Sequence, residues 1–269
     1  MDSESVDELV NKGNSLVDEG KYEEAVSFYD KALKINSQDV VALSNKGTAL
    51  DQLGRYEDAV KCFDKVLEIN PKDEEALNNK GSSLIRLNRY EEAIECFNEA
   101  LTVNPNNFVT HYNKGIAFGK LGKYEDAIKS YDTTIKIVPD YAIAIYSKGA
   151  TLLNLASQLS CDERIKKTEE ALELFKTVWK MRNKIPDKGK ELQSSFQDAM
   201  NDIFLILVEQ CGSEGLRVAH RIKDFLCDVL DQKMYQDFLE ETQLSVPADL
   251  KQYREVIALL DEPCPKRKK

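Results

Sequence analysis

The sequence predicts an all-α fold in which pairs of helices stack one after another. Three marks recur along the first half of the chain at intervals of 34 residues: a Lys-Gly pair, a tyrosine followed by two acidic residues and an alanine, and a closing proline. A repeat of this length cannot bury the apolar faces of its helices alone, so neighbouring repeats must stack to make a continuous core.

The first helix of each repeat carries the Lys-Gly pair. Its glycines are Gly13, Gly47, Gly81, Gly115 and Gly149. In the first repeat Leu9, Gly13 and Leu16 have the spacing that places three residues on one helical stripe. A glycine inside a helix costs about 1 kcal/mol relative to alanine. We therefore predict that the missing side chain lets a neighbouring helix approach closely, and that the packing outweighs this cost.

A tight turn is predicted after each first helix. The residues at this point are Gly20, Gly54, Asn88 and Gly122. Glycine and asparagine are the residues that best tolerate the left-handed backbone conformation at a helix C-cap. The first helix is therefore expected to stop there and the chain to reverse into a second helix.

The second helix opens with the phrases KYEEA, RYEDA, RYEEA and KYEDA. Their acidic pairs suit the positive end of the helix dipole. The alanine of each phrase and the aromatic residue four positions later share one face, which we predict to be the core. These aromatic residues are Tyr29, Phe63, Phe97 and Tyr131. Pro71, Pro105 and Pro139 end the second helices, because the residue before a proline is driven out of helical geometry.

With these marks the chain resembles the tetratricopeptide-repeat family, whose unit has the same length and the same small, aromatic and proline positions. The resemblance covers four repeats, at residues 6–39, 40–73, 74–107 and 108–141. The chain departs from the family in having leucine, histidine or isoleucine where the family's tryptophan is common, and lysine before each glycine. The resemblance implies a right-handed α-solenoid of helix pairs that works as a protein-protein interaction scaffold or adaptor.

The second half of the chain is less regular. Residues 142–181 predict a degenerate fifth repeat: a first helix at 142–156, a stretched turn without glycine or asparagine at the cap, and a second helix from about Glu163. Ala171, Phe175 and Val178 take its core positions. Residues 182–261 contain amphipathic segments that predict a helical C-terminal cap, because a repeat array needs covered ends. The alternative is a regulatory protein in which 182–261 is a separate functional domain.

Composition narrows the class of function. The net charge of -10 and the pI near 5.0 oppose binding to nucleic acid or anionic lipid, and favour a basic or neutral partner. The six cysteines form no C-x-x-C pair, which predicts reduced thiols and no metal site. The acidic amino terminus lacks the features of a secretory signal, and no apolar run approaches the roughly 20 residues that cross a bilayer. We expect a cytoplasmic protein without a membrane partner.

Catalysis is not predicted. The sequence has no phosphate-binding glycine loop, no G-x-S-x-G elbow and no H-E-x-x-H pair. We therefore expect a non-enzymatic protein without a cofactor. The basic tail at residues 262–269 ends in four consecutive cations, Lys266, Arg267, Lys268 and Lys269. Such a run is typically a solvated, disordered end, and the alternative is a nucleic-acid-associated protein acting through this tail.

The resemblance also implies where a protein or peptide partner binds, because in this family the first helices line a concave groove. The residues at the groove positions include Asn11, Asn14, Asn45, Thr48, Asn79, Ser82, Tyr112, Asn113, Ile116 and Tyr146. Asparagine both donates and accepts hydrogen bonds, so a ladder of asparagines can bind the backbone of an extended peptide. The alternative is a solvated polar face.

Chaperone-binding members of the family hold a C-terminal carboxylate with two lysines and one arginine on successive first helices. Here Val10, Glu75 and Asn79 stand at those positions, so we predict a groove without this carboxylate clamp.

The groove is also predicted to change character, from acidic residues in the first two repeats to apolar residues in the last two. The acidic set is Asp7, Asp18 and Asp51, and the apolar set is Val109, Tyr112, Ile116, Ile143, Tyr146 and Leu153. A ligand or the chain's own C-terminal helices would cover the apolar set, since exposed apolar patches are rare.

Overall fold

A computed structural model describes residues 4–181 of the chain. All regular structure in this range is α-helical. The helices are α1 (Val6–Asp18), α2 (Tyr22–Ile35), α3 (Val40–Gln52), α4 (Tyr56–Ile69), α5 (Glu74–Arg86), α6 (Tyr90–Val103), α7 (Phe108–Lys120), α8 (Tyr124–Ile137), α9 (Ala142–Ala156) and α10 (Cys161–Met181). The predicted all-α solenoid is thereby confirmed over these residues, while the predicted cap at 182–261 and the basic tail at 262–269 lie outside them.

Local chemistry explains where the helices begin and end. Side chains cap the first helices: Asp39 accepts a hydrogen bond from the Ala42 backbone N–H at 2.9 Å, and Ser5 forms a capping box with Glu8. The residues after the first helices have left-handed backbone, with φ of 76° at Gly20, 75° at Gly54, 59° at Asn88 and 71° at Gly122. The predicted tight turn is confirmed.

The glycine of each Lys-Gly pair lies against the aromatic ring of the second helix in its own repeat. A Cβ atom on Gly13 would stand 2.5 Å from the Tyr29 ring, and one on Gly47 would stand 2.7 Å from Phe63. Carbon atoms in contact are separated by about 3.5–4.0 Å, so any larger residue would push the helices apart. The predicted close approach is confirmed, and the aromatic ring is its partner.

Contacts divide the chain into two compact units, at Met1–Ile137 and Val138–Lys269. In the first unit each helix from α1 to α7 packs against the following one, and α1, α3, α5 and α7 also contact one another in sequence. The first helices therefore form a continuous row. In the second unit α9 packs against α10.

The fifth helix pair reverses direction without a left-handed residue. Ser157, at the C-cap of α9, has right-handed helical backbone with φ of −59°. Arg164, only 8% exposed, closes the turn instead. Its Nε donates to the Ala156 carbonyl at 3.0 Å and its Nη2 to the Leu159 carbonyl at 2.8 Å. The guanidinium thus adds donors at the helix end, where the Ala156 carbonyl also accepts from the Leu159 backbone N–H at 3.1 Å. The sequence pattern did not reveal this role.

Candidate binding groove on the first helices

The predicted groove residues of the first unit all lie on the row formed by α1, α3, α5 and α7. We call this row the first-helix face. Asn11 and Thr48 are exposed, and the half-buried members are Asn14, Asn45, Asn79, Ser82, Tyr112, Asn113 and Ile116. The remaining member, Tyr146, is half-buried on α9 and belongs to the second unit. The structure thus brings nine of the ten predicted residues onto one row.

Part of the asparagine ladder is used within the fold. The Asn14 Oδ1 atom accepts hydrogen bonds from the Asn45 Nδ2 atom and from the Tyr29 hydroxyl, both at 2.8 Å. Between α5 and α7, the Asn113 Nδ2 atom donates to the Ser82 hydroxyl at 3.3 Å. The Asn45–Asn14 and Asn113–Ser82 bonds connect neighbouring repeats, so some groove asparagines fix the spacing of the first helices.

Other groove amides make no such bond. Within residues 4–181 the side chains of Asn11 and Asn79 form no hydrogen bond with the protein. An amide offers two N–H donors and a carbonyl oxygen with two acceptor sites. Asn11 and Asn79 therefore keep their full hydrogen-bonding capacity for solvent or a ligand.

The last residue of each first helix adds a charge pattern that sequence reasoning missed. These residues are Asp18, Gln52, Arg86 and Lys120. Along the face the charge at this position changes from negative, through neutral, to positive. These four residues occupy the same position in successive repeats, so the charge pattern could have been read from the sequence. The prediction was based on the asparagines instead.

A cleft of about 240 Å³ opens between α1 and α3. Tyr29, which is fully buried, forms its deep wall, while Asp18 and Gln52 lie at its mouth. Asn14 and Asn45 also line it. Burial, together with the nearby charge of Asp18, raises the pKa of Tyr29 to about 12. The Tyr29 hydroxyl therefore stays protonated at neutral pH and keeps donating to Asn14.

The apolar residues predicted for the groove differ in exposure. Tyr112 packs on Tyr131, with ring centroids 5.8 Å apart, and Tyr146 packs on Phe175 at 5.3 Å. Such tilted pairs are favourable aromatic contacts, so each ring is held by the second helix of its own repeat. Leu153 is only 3% exposed. Leu153 therefore presents no open surface, and the prediction that C-terminal helices cover the apolar set falls on residues 182–261, outside the described range.

The cysteine and histidine side chains of this region are buried or contact the protein backbone. Cys62 and Cys96 are buried, and burial raises the pKa of the Cys96 thiol to about 11. His111 Nε2 lies 2.9 Å from the Pro105 carbonyl oxygen. Across residues 4–181 no group of three or more His, Cys, Asp or Glu side chains could hold a metal ion. None of the helices described there is long and apolar enough to cross a membrane.

Comparison with protein families finds the tetratricopeptide repeat. One model of this repeat matches residues 74–107 and 108–141, and a second matches residues 16–80. No curated protein matches the chain as a relative.

Several solved structures share the fold. MamA 41-end from Desulfovibrio magneticus RS-1 is 22% identical with a TM-score of 0.61, and the match covers 69% of this chain and 99% of that one. TTC0263, a thermophilic TPR protein in Thermus thermophilus, is 19% identical with a TM-score of 0.56, covering 73% and 99%. YrrB, described as a TPR protein with an unusual peptide-binding site, is 22% identical with a TM-score of 0.54, covering 70% and 90%.

Proposed function

Because this chain is a tetratricopeptide-repeat protein, and so a protein-protein interaction scaffold, we propose that it binds an extended peptide segment of its partner along the first-helix face. The observation that carries this proposal is the placement of Asn11 and Asn79, whose amides lie on the row of first helices without a hydrogen-bond partner in the described residues. The protein has no catalytic role in this proposal.

The ladder suits backbone recognition. An extended peptide presents alternating N–H and C=O groups, and asparagine can pair with both. The internal bonds from Asn45 to Asn14 and from Asn113 to Ser82 support this role, because they hold the first helices in place before the ligand arrives. A preorganised surface loses less entropy on binding. YrrB, which shares the fold, is itself described as having a peptide-binding site.

The ligand is held along its length and not by its C-terminal carboxylate. Val10, which stands at one of the clamp positions, is buried in the core of the first unit. Glu75, at a second, is exposed and would repel a carboxylate. The net charge of -10 favours a basic or neutral segment. We propose a cytoplasmic partner; the alternative sites in residues 182–261 and in the tail lie outside the described residues.

The test is capture of partners from a lysate of the source organism by the full-length chain and by two variants. Asn79→Arg places a long side chain in the middle of the first-helix face without removing an internal hydrogen bond. Asn106→Arg makes the same chemical change at an exposed turn between α6 and α7, outside the first helices themselves. We expect Asn79→Arg to reduce capture by about tenfold or more, as when a central contact is lost.

Asn106→Arg is expected to capture the same proteins as the intact chain. Thermal melting of all three proteins shows whether the fold is preserved. Equal capture by Asn79→Arg, with an unchanged melt, would place binding outside the first-helix face and contradict the proposal.

A further inference from the structure

We propose that the cleft between α1 and α3 receives a lysine or arginine side chain of the bound peptide. This inference rests on the proposed function, since it names what one subsite of the first-helix face recognises. It follows from the shape of the cleft, the chemistry of its walls and the position of one carboxylate.

The cleft has the chemistry of a pocket for a long cationic side chain. Its volume of about 240 Å³ is many times the roughly 10–15 Å³ that a cavity needs in order to hold one water, so it has room for a side chain. Val17, Tyr22 and Ala49 supply apolar and aromatic lining. Lysine and arginine bury their aliphatic stems against such walls and keep the charged head at the edge. At the mouth, Asp18 and Gln52 offer oxygen acceptors for that head.

The interior of the cleft is already satisfied. Asn14 Oδ1 accepts from both Tyr29 and Asn45, each at 2.8 Å. The deep polar groups are therefore fixed by one another and do not require a ligand. The carboxylate of Asp18 is different, because no lysine, arginine or histidine of residues 4–181 lies within ion-pair distance of it. The carboxylate of Asp18 is therefore a negative charge at the mouth of the cleft that no ion pair in the described part of the chain neutralises.

Asp18 also stands where local helix chemistry disfavours an acid. It is the last residue of α1, and the C-terminal end of a helix carries the negative end of the dipole. At the same position α5 has Arg86 and α7 has Lys120, both of which suit the dipole. A residue that breaks a local rule without compensation within its own fold is characteristic of a functional site. A ligand cation supplies the missing compensation.

The neighbouring cleft position between α3 and α5 lacks these features. Gln52 occupies there the position that Asp18 has in the first cleft. The adjacent carboxylate of Asp51 accepts a hydrogen bond from the Ser83 hydroxyl at 2.6 Å. Phe63 replaces the tyrosine, and Arg86 stands where the first cleft has Gln52. A positive charge is repelled by Arg86. The basic side chain is therefore directed to the first cleft, which orients the peptide along the first-helix face.

The test begins with a random peptide library displayed on phage, panned against the full-length chain. Enriched peptides are synthesised with a fluorescent label, and their Kd is measured by fluorescence polarisation for the intact chain, Asp18→Asn and Glu23→Gln. Glu23→Gln removes one negative charge from an exposed site in the first turn of α2 and controls for overall charge. Each peptide is also made with norleucine in place of its basic residue.

We expect the enriched peptides to share a lysine or arginine, and Asp18→Asn to weaken their binding about tenfold. Glu23→Gln should change Kd by no more than about twofold, because exposed charges are screened. The intact chain should bind the norleucine peptide about tenfold more weakly than the basic peptide. Asp18→Asn should bind the two peptides equally well. This double comparison isolates the interaction between Asp18 and the basic side chain. Asp18→Asn should melt at the same or a higher temperature.

The outcomes separate the two proposals. Peptides without a shared basic residue, or unchanged affinity in Asp18→Asn, overturn the cation pocket; the groove itself survives if Asn79→Arg still abolishes their binding. A library that yields no peptide, or only peptides that bind Asn79→Arg as well as the intact chain, overturns both.

Discussion

The regular repeats and the fifth repeat turn between their helices in different ways. After α3 the chain reverses at Gly54, whose φ of 75° lies in the left-handed region. After α9 the cap residue Ser157 keeps right-handed backbone, and the side chain of Arg164 donates to the carbonyls of Ala156 and Leu159. Backbone N–H groups alone pair with the helix end in one region, and a buried side chain adds its donors to them in the other.

What the two regions keep in common is the contact between the helices. A Cβ atom on Gly47 would lie 2.7 Å from Phe63, and one on Gly149 would lie 2.8 Å from Phe175. The second-helix core positions of the fifth repeat, Ala171 and Phe175, are also fully buried. The comparison teaches that the glycine-aromatic contact defines the helix pair, while the turn can be rebuilt when another group satisfies the carbonyls.

The largest expected effect comes from removing the device that is special to the fifth repeat. Arg164→Met keeps much of the length of the side chain but removes the charged donor from the carbonyls of Ala156 and Leu159. The Ala156 carbonyl then keeps only the Leu159 backbone N–H, at 3.1 Å. We expect a loss of about 2–3 kcal/mol in the free energy of unfolding, because hydrogen bonds to a charged donor are each worth up to about 3 kcal/mol. Urea denaturation followed by circular dichroism measures it.

Lys166→Met is the control for this change, since it also removes a cation from α10 but at an exposed position. It should change the free energy of unfolding by less than about 0.5 kcal/mol. Similar losses in the two variants would show that Arg164 does not hold the turn.

A smaller effect is expected at the turns of the regular repeats. Gly54→Ala forces an L side chain into left-handed backbone, which costs about 1–2 kcal/mol. Gly54→Asn should cost clearly less, since Asn88 already adopts φ of 59° at the equivalent turn. No atom lies within 4 Å of a Cβ placed on Gly54, so crowding does not contribute. Melting curves of both variants test the order, and equal losses would rule out the backbone explanation.

The smallest effect is expected from adding, at Lys114, a lysine–aspartate ion pair that two other repeats already have. Lys46 pairs with Asp30 at 2.5 Å and Lys80 with Asp64 at 2.6 Å, but Asn98 stands at the matching position for Lys114. Burial lowers the pKa of Lys114 below its ordinary value of 10.5, with only a partial offset from Asp126. Asn98→Asp should raise that pKa and add about 0.2–1 kcal/mol, the value of a part-exposed pair.

The dependence on pH gives this change a signature. Because the folded pKa of Lys114 is lowered, the unfolded chain binds more protons just below pH 10.5, so Lys114 contributes stability that increases as pH rises through that window. In Asn98→Asp this contribution should vanish or reverse. Urea denaturation from neutral pH to about pH 10, with NMR titration of the Lys114 side chain, measures both. An unchanged Lys114 titration would show that the pair does not form.

The repeat, the turns and the helix pairs could be predicted from the amino-acid sequence. The left-handed turn residues, the alanine and aromatic core positions and the range of α9 were all predicted correctly. These features are readable because each depends on local backbone preference or on the spacing of apolar residues along one helix. The asparagines were likewise placed on one row from their column in the repeat.

Which of those side chains form contacts within the fold could be seen only once the helices were packed together. It showed that Asn14 is engaged by Asn45 and Tyr29, that Arg164 closes the fifth turn and that Leu153 is buried. It also opened the cleft beside Asp18. The physical reason is that a hydrogen-bond partner or a cavity depends on the distance and angle between two helices, whereas a repeating sequence fixes only the face on which each residue lies.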